Sequence, residues 1–243
     1  MDHKANAAAK RQVERLARQM YDETFERINE PRLGEVVRDK VTVMYGPPMV
    51  RPDLAIVSFQ GGGGDRTQSA RSWPERLLYL DDDFIFGRTL RRQCAEAGLG
   101  ATLEKRTVAM AACFPEAPSN QAGLWMAKSG ARAEWRAFSV SWVRRMLAAM
   151  SPRSVVVFGT KASRAMEMEG DWRDEQRDAR SWRTFGRAEL EGCPAIYCQH
   201  LSQGWKRDHV QMSLREAGCL IKRHDMGSGC WADDPGCILR EKS

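Results

Sequence analysis

The sequence lacks several features that would assign it to a class directly. It has no run of about 18 apolar residues, the length that a membrane-spanning helix needs, and this excludes a membrane span. The N-terminal segment carries repeated charges and lacks the apolar core of a secretory signal. Seven cysteines, an odd number scattered over 243 residues, do not make a disulfide framework. We therefore expect a cytoplasmic protein from a reducing compartment.

Lysine is also scarce, and arginine supplies most of the positive charge. Nine lysines and 29 arginines outweigh 32 acidic residues, which gives a formal net charge of +6. The planar guanidinium group pairs with phosphates and stacks on rings, and eight tryptophans accompany it. This composition suits a nucleic-acid partner. A mildly basic surface with tryptophans in the core is the alternative, because a modest net charge bears on solubility more than on function.

Short apolar runs alternate along the chain with segments of helical periodicity. The runs that have the length and composition of buried strands are 54–59, 106–113, 154–158 and 195–199. The segments with apolar residues at helical spacing are 6–29, 84–97, 134–150 and 207–217. Pro31 ends the first helix, and Gly98 and Gly218 are predicted to close the second and the last. The alternation predicts an α/β fold, namely a three-layer α/β/α sandwich around a central, mostly parallel sheet of four strands.

We expect one domain with an addition at each end. Residues 1–52 form an N-terminal helix and a proline-punctuated connector that pack on the core. Residues 53–226 form the α/β domain itself. Residues 227–243 are rich in glycine, aspartate and proline and are predicted to form an extended tail.

Three unusual segments follow predicted strands, where ligands bind in open α/β sheets. They are the glycine-rich turn 60–65, the helix start 159–162 and the histidine-containing segment 200–205. The proline-bearing loop after Cys113 is a fourth candidate wall. The four consecutive glycines lack the lysine of a Walker phosphate loop, and no helix opens immediately after them as a dinucleotide-binding turn requires. They form either a flexible loop or a site where a ligand approaches the backbone closely.

The order of these segments resembles the uracil-DNA glycosylase superfamily. The strand and turn VSFQGGGGD are followed by VAMAACFPEAP, by VVVFGTKA and finally by IYCQHLSQGW, with its histidine directly after the last strand. The likeness runs in order through residues 53–217. It implies a DNA glycosylase that flips a nucleotide out of the duplex and hydrolyses its N-glycosidic bond with water.

The resemblance implies catalytic roles for three residues. His200 matches the motif histidine, which stabilises the negative charge on the departing base. The acidic position of the family turn falls on Gly61 or on Gln60, depending on the alignment, so the usual acid is missing there. We expect Asp65, the nearest acid, to activate water and Gln60 to position it or to contact the base. A helix-capping role for Asp65 is the alternative.

The same resemblance implies which residues touch the substrate. The candidates for contact with the base, at the ends of the first two strands, are Phe59, Gly61, Gly62, Gly63, Gly64, Ala111 and Cys113. The candidates for contact with DNA are Gly159, Thr160, Lys161, Ser202, Trp205 and Arg207. Trp205 stands where the family inserts an apolar wedge into the duplex, and an ordinary core tryptophan is the alternative. The segment 171–187, rich in arginine and tryptophan, is either a DNA-facing insertion or a solvated helix.

The substrate that the resemblance implies is not uracil. The glycines place no aromatic ring beside the 5-position of a pyrimidine, and the second strand ends without the asparagine that reads uracil in the family. We expect a modified pyrimidine with a bulky 5-substituent, such as glucosylated hydroxymethylcytosine in phage DNA, as for antiviral members of this superfamily.

We further expect a monomer that binds double-stranded DNA without a cofactor. The spacings of Cys193, Cys198, Cys230 and Cys237 do not suit a zinc or iron–sulfur site. Two other functions stay open. One is a catalytically inactive DNA-binding protein of the same fold, and the other is an α/β enzyme that binds a nucleotide or nucleoside and does not act on DNA.

Overall fold

The computed structural model describes residues 3–37, 40–61, 72–81, 85–118, 120–177, 180–201 and 206–225. Its helices are α1 (His3–Asn29), α2 (Pro31–Gly34), α3 (Ile85–Glu96), α4 (Gly100–Lys105), α5 (Ala131–Met150), α6 (Thr160–Ala165) and α7 (Arg207–Asp225). Its strands are β1 (Leu54–Ser58), β2 (Thr107–Ala111), β3 (Ser154–Phe158), β4 (Gly170–Arg177), β5 (Arg180–Leu190) and β6 (Cys193–Cys198). Among these helices, none is both long enough and apolar enough to cross a membrane.

The strands form one mixed sheet in the order β2-β1-β3-β6-β5-β4. The first four are parallel to one another, and β5 is antiparallel to both β6 and β4. Every residue of β1, β2 and β3 is buried, as expected for parallel strands that are covered on both faces. The protein is therefore an α/β protein with helices on both faces of a mixed sheet.

The two faces of the sheet pack against different helices. Val57, Val108 and Val155 belong to one buried cluster, which also contains the apolar stripes of α1 and α5. Ile56 and Val156 belong to a second cluster, shared with α3, α4 and α7. Because side chains alternate between the faces of a strand, neighbouring residues of each strand belong to the clusters on opposite faces of the sheet. The three layers agree with the predicted sandwich.

The prediction of four strands is wrong in number, because the sheet has six. The two additional strands, β4 and β5, come from the charged segment that was interpreted as a possible solvated helix. Only Gly186–Leu190 of β5 pair with β6, while the earlier part of β5 pairs with β4 alone. Asp171, Arg173 and Asp174 are exposed. A hairpin with so much solvated surface carries no continuous apolar run, and its sequence therefore resembles a surface helix.

Helix ends were predicted with mixed success. Gly98 has a φ of +76° directly after α3, as predicted for a C-terminal cap. Gly218 does not close α7, which continues to Asp225. A Cβ atom at position 218 would lie 3.4 Å from Leu99 Cδ2, so this glycine allows close packing inside the helix. The predicted tail, residues 227–243, lies outside the described residues.

Candidate functional site at the carboxyl edge of the sheet

The strand register brings three of the predicted segments to one edge. Val57 of β1 pairs with Val157 of β3, and Phe158 pairs with Cys198 of β6. Gln60, Gly159 and His200 follow these strand ends, so they emerge from the same edge of the sheet. Asp65, Gly62, Gly63, Gly64, Ser202 and Trp205 lie outside the described residues, and their roles stay predictions.

His200 lies against the backbone of Gly159. Gly159 has a φ of +86°, and its N–H donates to the carbonyl of Cys198 at 2.8 Å. A Cβ atom at position 159 would lie only 3.0 Å from the Cβ of His200. Position 159 therefore needs glycine both for its backbone conformation and for the space that the histidine occupies.

The imidazole of His200 is held in its neutral form. Burial lowers the pKa of His200, and the positive charge of Lys161 lowers it further. Both effects disfavour the imidazolium ion, because they oppose a second positive charge in a poorly solvated place. At neutral pH the ring carries one N–H and can donate a hydrogen bond without carrying charge.

An aromatic surface adjoins the histidine. The ring of Phe86, near the start of α3, lies 5.4 Å from the His200 ring and 5.3 Å from the ring of Phe158. Tyr79 contacts Phe86 at 5.0 Å and stacks on Tyr45 at the same distance. Phe86 was missed at the level of sequence because it is only partly buried and lies beside the apolar face of its helix. Its place in the first turn of a predicted helix gave no functional signal.

The turn after β1 meets the loop after β2. The Gln60 Nε2 group donates to the carbonyl of Pro115 at 3.2 Å, and the N–H of Ala117 donates to the carbonyl of Gly61 at 3.3 Å. A Cβ atom at position 61 would lie 2.9 Å from the Glu116 carboxyl group. A side chain at position 61 would therefore displace the Glu116 carboxyl group.

Glu116 is the second residue that was missed at the level of sequence. Its side chain is half-buried, and its Oε1 atom accepts a hydrogen bond from the Thr42 hydroxyl. The proline-bearing loop was recognised as a candidate wall, but no chemistry was assigned to the acid inside it. The available signal was an acidic residue between prolines, immediately after a buried strand.

Three of the described candidates for base contact lie in the core of the protein and not at the wall of an exposed pocket. Phe59, Ala111 and Cys113 belong to the core, and the N–H of Cys113 donates to the carbonyl of Phe59 at 2.7 Å. Burial raises the pKa of the Cys113 thiol to about 12, so the thiol is protonated at neutral pH. Their contact with a base stays a prediction.

The candidates for DNA contact have protein partners of their own. The Thr160 hydroxyl lies 3.3 Å from the hydroxyl of Tyr197. The Gly159 N–H is used by Cys198, and α6 is only six residues long. Arg207, at the start of α7, pairs with Glu96 at 3.2 Å. Among these candidates, Lys161 acts on the site directly, through its charge on His200.

The β4–β5 hairpin extends past the carboxyl end of β6, beside the segment that contains His200. This follows from the register, in which Gly186 of β5 pairs with Tyr197 and the preceding residues run on beyond it. The Arg183 guanidinium stacks 3.5 Å from the centre of the Trp172 ring. Gln199 donates to the carbonyl of Arg183 at 3.5 Å and accepts from the N–H of Lys206 at 3.0 Å. Gln199 thereby links the hairpin to both ends of the 200–205 segment.

A surface pocket of about 280 Å³ lies elsewhere, between α1 and the segment after the glycine run. Its lining residues are Arg18, Asp22, Ser72 and Trp73. The Arg18 guanidinium lies 5.2 Å from the centre of the Trp73 ring. In the part of the chain that the structure describes, no three His, Cys, Asp or Glu side chains are grouped so that they could hold a metal ion.

No protein-family model matches the chain, and no curated protein matches it. Its activity is therefore inferred from the site and from the sequence pattern.

Proposed function

We propose that the protein is a DNA glycosylase that removes a modified pyrimidine from duplex DNA and leaves an abasic site. The observation that carries this proposal is the half-buried His200, whose pKa is lowered, at the same sheet edge as the Gln60 amide and the Glu116 carboxylate. Hydrolysis of an N-glycosidic bond needs a donor for the departing base and an acceptor for the attacking water. The resemblance of the segment order to uracil-DNA glycosylases supports the same reaction class.

His200 acts on the leaving group. As the C–N bond breaks, negative charge collects on the base, and an N–H donor in a poorly solvated site stabilises that charge. A neutral imidazole suits this task because its proton is not lost to bulk water at neutral pH. The charge of Lys161, close enough to lower the pKa of His200, also favours an anionic base.

The base enters beside Phe86 and the glycine turn. The half-buried ring of Phe86 lies next to His200, and we propose that an extruded base packs against it. The glycine run supplies no side chain against the 5-position. We therefore propose a pyrimidine with a bulky 5-substituent as the substrate, with glucosylated hydroxymethylcytosine of phage DNA as the leading example.

The arginine-rich β4–β5 hairpin, which extends past the carboxyl end of β6, would hold the DNA backbone. The segment that contains Ser202 and Trp205 follows His200 directly on the chain. The formal net charge of +6 favours a polyanionic partner. We propose that these two segments contact phosphates on either side of the extruded nucleotide.

The test is excision from a defined panel of DNA. The protein is incubated with duplexes that carry glucosylated hydroxymethylcytosine, unglucosylated hydroxymethylcytosine, cytosine or uracil, and abasic sites are measured as alkali-labile breaks. We expect breaks at the glucosylated base and their loss in His200→Ala. Gly62→Tyr should abolish action on the bulky base first. Breaks at uracil alone would contradict the substrate, and DNA binding without any break would favour an inactive DNA-binding protein.

A further inference from the structure

We propose that Glu116 is the carboxylate that activates the attacking water, and that Thr42 and Gln60 are positioning residues for it; this inference rests on the glycosylase function proposed above. Glu116 comes from the loop after β2, and Gln60 comes from the turn after β1. These strands are neighbours in the sheet, and both loops leave from its carboxyl edge.

Gly61 keeps the space for this carboxylate. The site of a Cβ atom at position 61 lies 2.9 Å from the Cγ, Cδ and Oε1 atoms of Glu116. Any larger residue at position 61 would push the carboxyl group away, since the contact is with the flexible end of the side chain. The glycine therefore positions the acid at the turn without contributing a side chain of its own.

Thr42 fixes one oxygen of the carboxylate. Its hydroxyl donates to Glu116 Oε1, and the backbone of the loop is fixed at the same place, because the N–H of Glu116 donates to the carbonyl of Lys40 at 3.0 Å. Among the described residues, the Oε2 atom of Glu116 accepts no hydrogen bond. One oxygen is thus held by Thr42, and within the part of the chain that the structure describes the other is available to accept a proton.

Gln60 positions the loop that carries Glu116. Its partner at Pro115 is a carbonyl oxygen, so the amide NH₂ group must face it, and this fixes the orientation of the side chain. The other end of the amide, Oε1, is buried and has almost no solvent-accessible surface. Gln60 therefore acts through its bond to Pro115, which joins the turn after β1 to the residue that precedes Glu116.

The chemical step then balances within these groups. The oxygen of the water forms a bond to C1′ of the deoxyribose, and the C1′–N bond breaks with its electron pair on the base. One proton of the water passes to Glu116. His200 stabilises the anionic base, which takes up a proton from solvent after it leaves.

The experiment compares single-turnover excision rates with enzyme in excess over a DNA that the wild type cleaves. Glu116→Gln should lower the rate by about 100-fold or more, the usual contribution of a general base, while the affinity for DNA stays within about twofold. Glu116→Asp should recover part of the rate that Glu116→Gln loses. Gly61→Ala should lower the rate through displacement of the carboxylate, with little change in the unfolding temperature.

Two control variants test whether the loss of rate is specific to the Glu116 carboxylate. Glu104→Gln changes an exposed acid of α4, which precedes the amino end of β2 and so lies at the opposite edge of the sheet, and should leave the rate unchanged. Asp65→Asn should slow excision much less than Glu116→Gln. Full activity in Glu116→Gln, with an active wild type, would overturn the inference and leave the glycosylase function standing. A wild type that excises no base from any DNA would overturn both.

Discussion

Replacing Gly159 with alanine tests the geometry that holds His200. The residue has φ and ψ of +86° and 156°, a region that is essentially limited to glycine. Backbone strain there costs about 1–3 kcal/mol. In addition, the new methyl group would lie 3.0 Å from the Cβ of His200, so the histidine must move by a few tenths of an ångström. The substitution therefore acts on the fold and on the site at once.

We expect Gly159→Ala to reduce the free energy of unfolding by about 2 kcal/mol, the middle of the range for this kind of strain. For a chain of this size each kcal/mol lowers the unfolding temperature by about 2–4 °C, so the expected decrease is about 4–8 °C. Thermal and urea unfolding would measure it. Excision should fall by more than the stability loss accounts for when both are measured at 25 °C, where the variant is still folded.

Two other glycines provide matched controls. Gly98 also has a positive φ, +76°, but a Cβ atom there would meet nothing within 4 Å. Gly98→Ala should therefore cost strain alone and leave excision unchanged. Gly123 has neither a positive φ nor a close neighbour, so Gly123→Ala should be neutral or slightly stabilising. The role assigned to Gly159 would be refuted if Gly159→Ala matched Gly98→Ala in both stability and excision.

Three further predictions concern charge. Glu216 is buried and pairs at 2.6 Å with Arg187, which is partly exposed, so Glu216→Ala should lower the free energy of unfolding in urea by about 1–3 kcal/mol; an unchanged or increased stability would contradict the pairing. Because the pKa of His200 is lowered in the folded protein, the unfolded chain takes up a proton at a higher pH than the folded protein does. The free energy of unfolding should therefore fall as the pH drops below about 6.5. Unfolding at pH 7.5 and 5.5 should show a smaller pH effect in His200→Asn, and an equal effect would argue against a buried neutral ring. DNA affinity should fall by orders of magnitude between low and moderate salt, and a flat dependence in a filter-binding assay would argue against a DNA substrate.

The parallel part of the fold could be predicted because burial leaves a direct mark on the sequence. Strands β1 and β3 are continuous apolar runs, and their predicted bounds differ from the observed ones by one residue at most. The β4–β5 hairpin left no such mark. Trp172 packs under Arg183 and against Tyr197. The charged residues on the chain between Trp172 and Arg183 are typical of exposed hairpins and of exposed helices alike. Pairing with β6 decides between the two, and pairing is not encoded in local periodicity.

The position of the candidate site at the strand ends could be predicted, whereas the side chains that surround it there could not. Gln60, Gly159 and His200 could be placed at one edge because parallel strands end together. Phe86 and Glu116, which lie beside them, come from other segments of the chain. No local sequence pattern shows that these segments are close in space to the strand ends. The sequence therefore predicts the acid close to the glycine run on the chain, at Asp65.

The space beside position 61 is occupied by an acid from another loop. The sequence pattern leads one to expect an acidic side chain in the turn after β1, and Gly61 occupies one of the two positions where it would fall. The carboxyl group of Glu116 reaches into the space beside that glycine, from a different loop. The absence of a side chain at position 61 and the position of the Glu116 carboxyl group are therefore linked in the structure. The double variant Gly61→Asp with Glu116→Gln carries the acid on the turn instead, and it should recover more excision than Glu116→Gln alone. Equal rates in the two variants would show that an acid on the turn after β1 cannot replace the acid on the loop after β2.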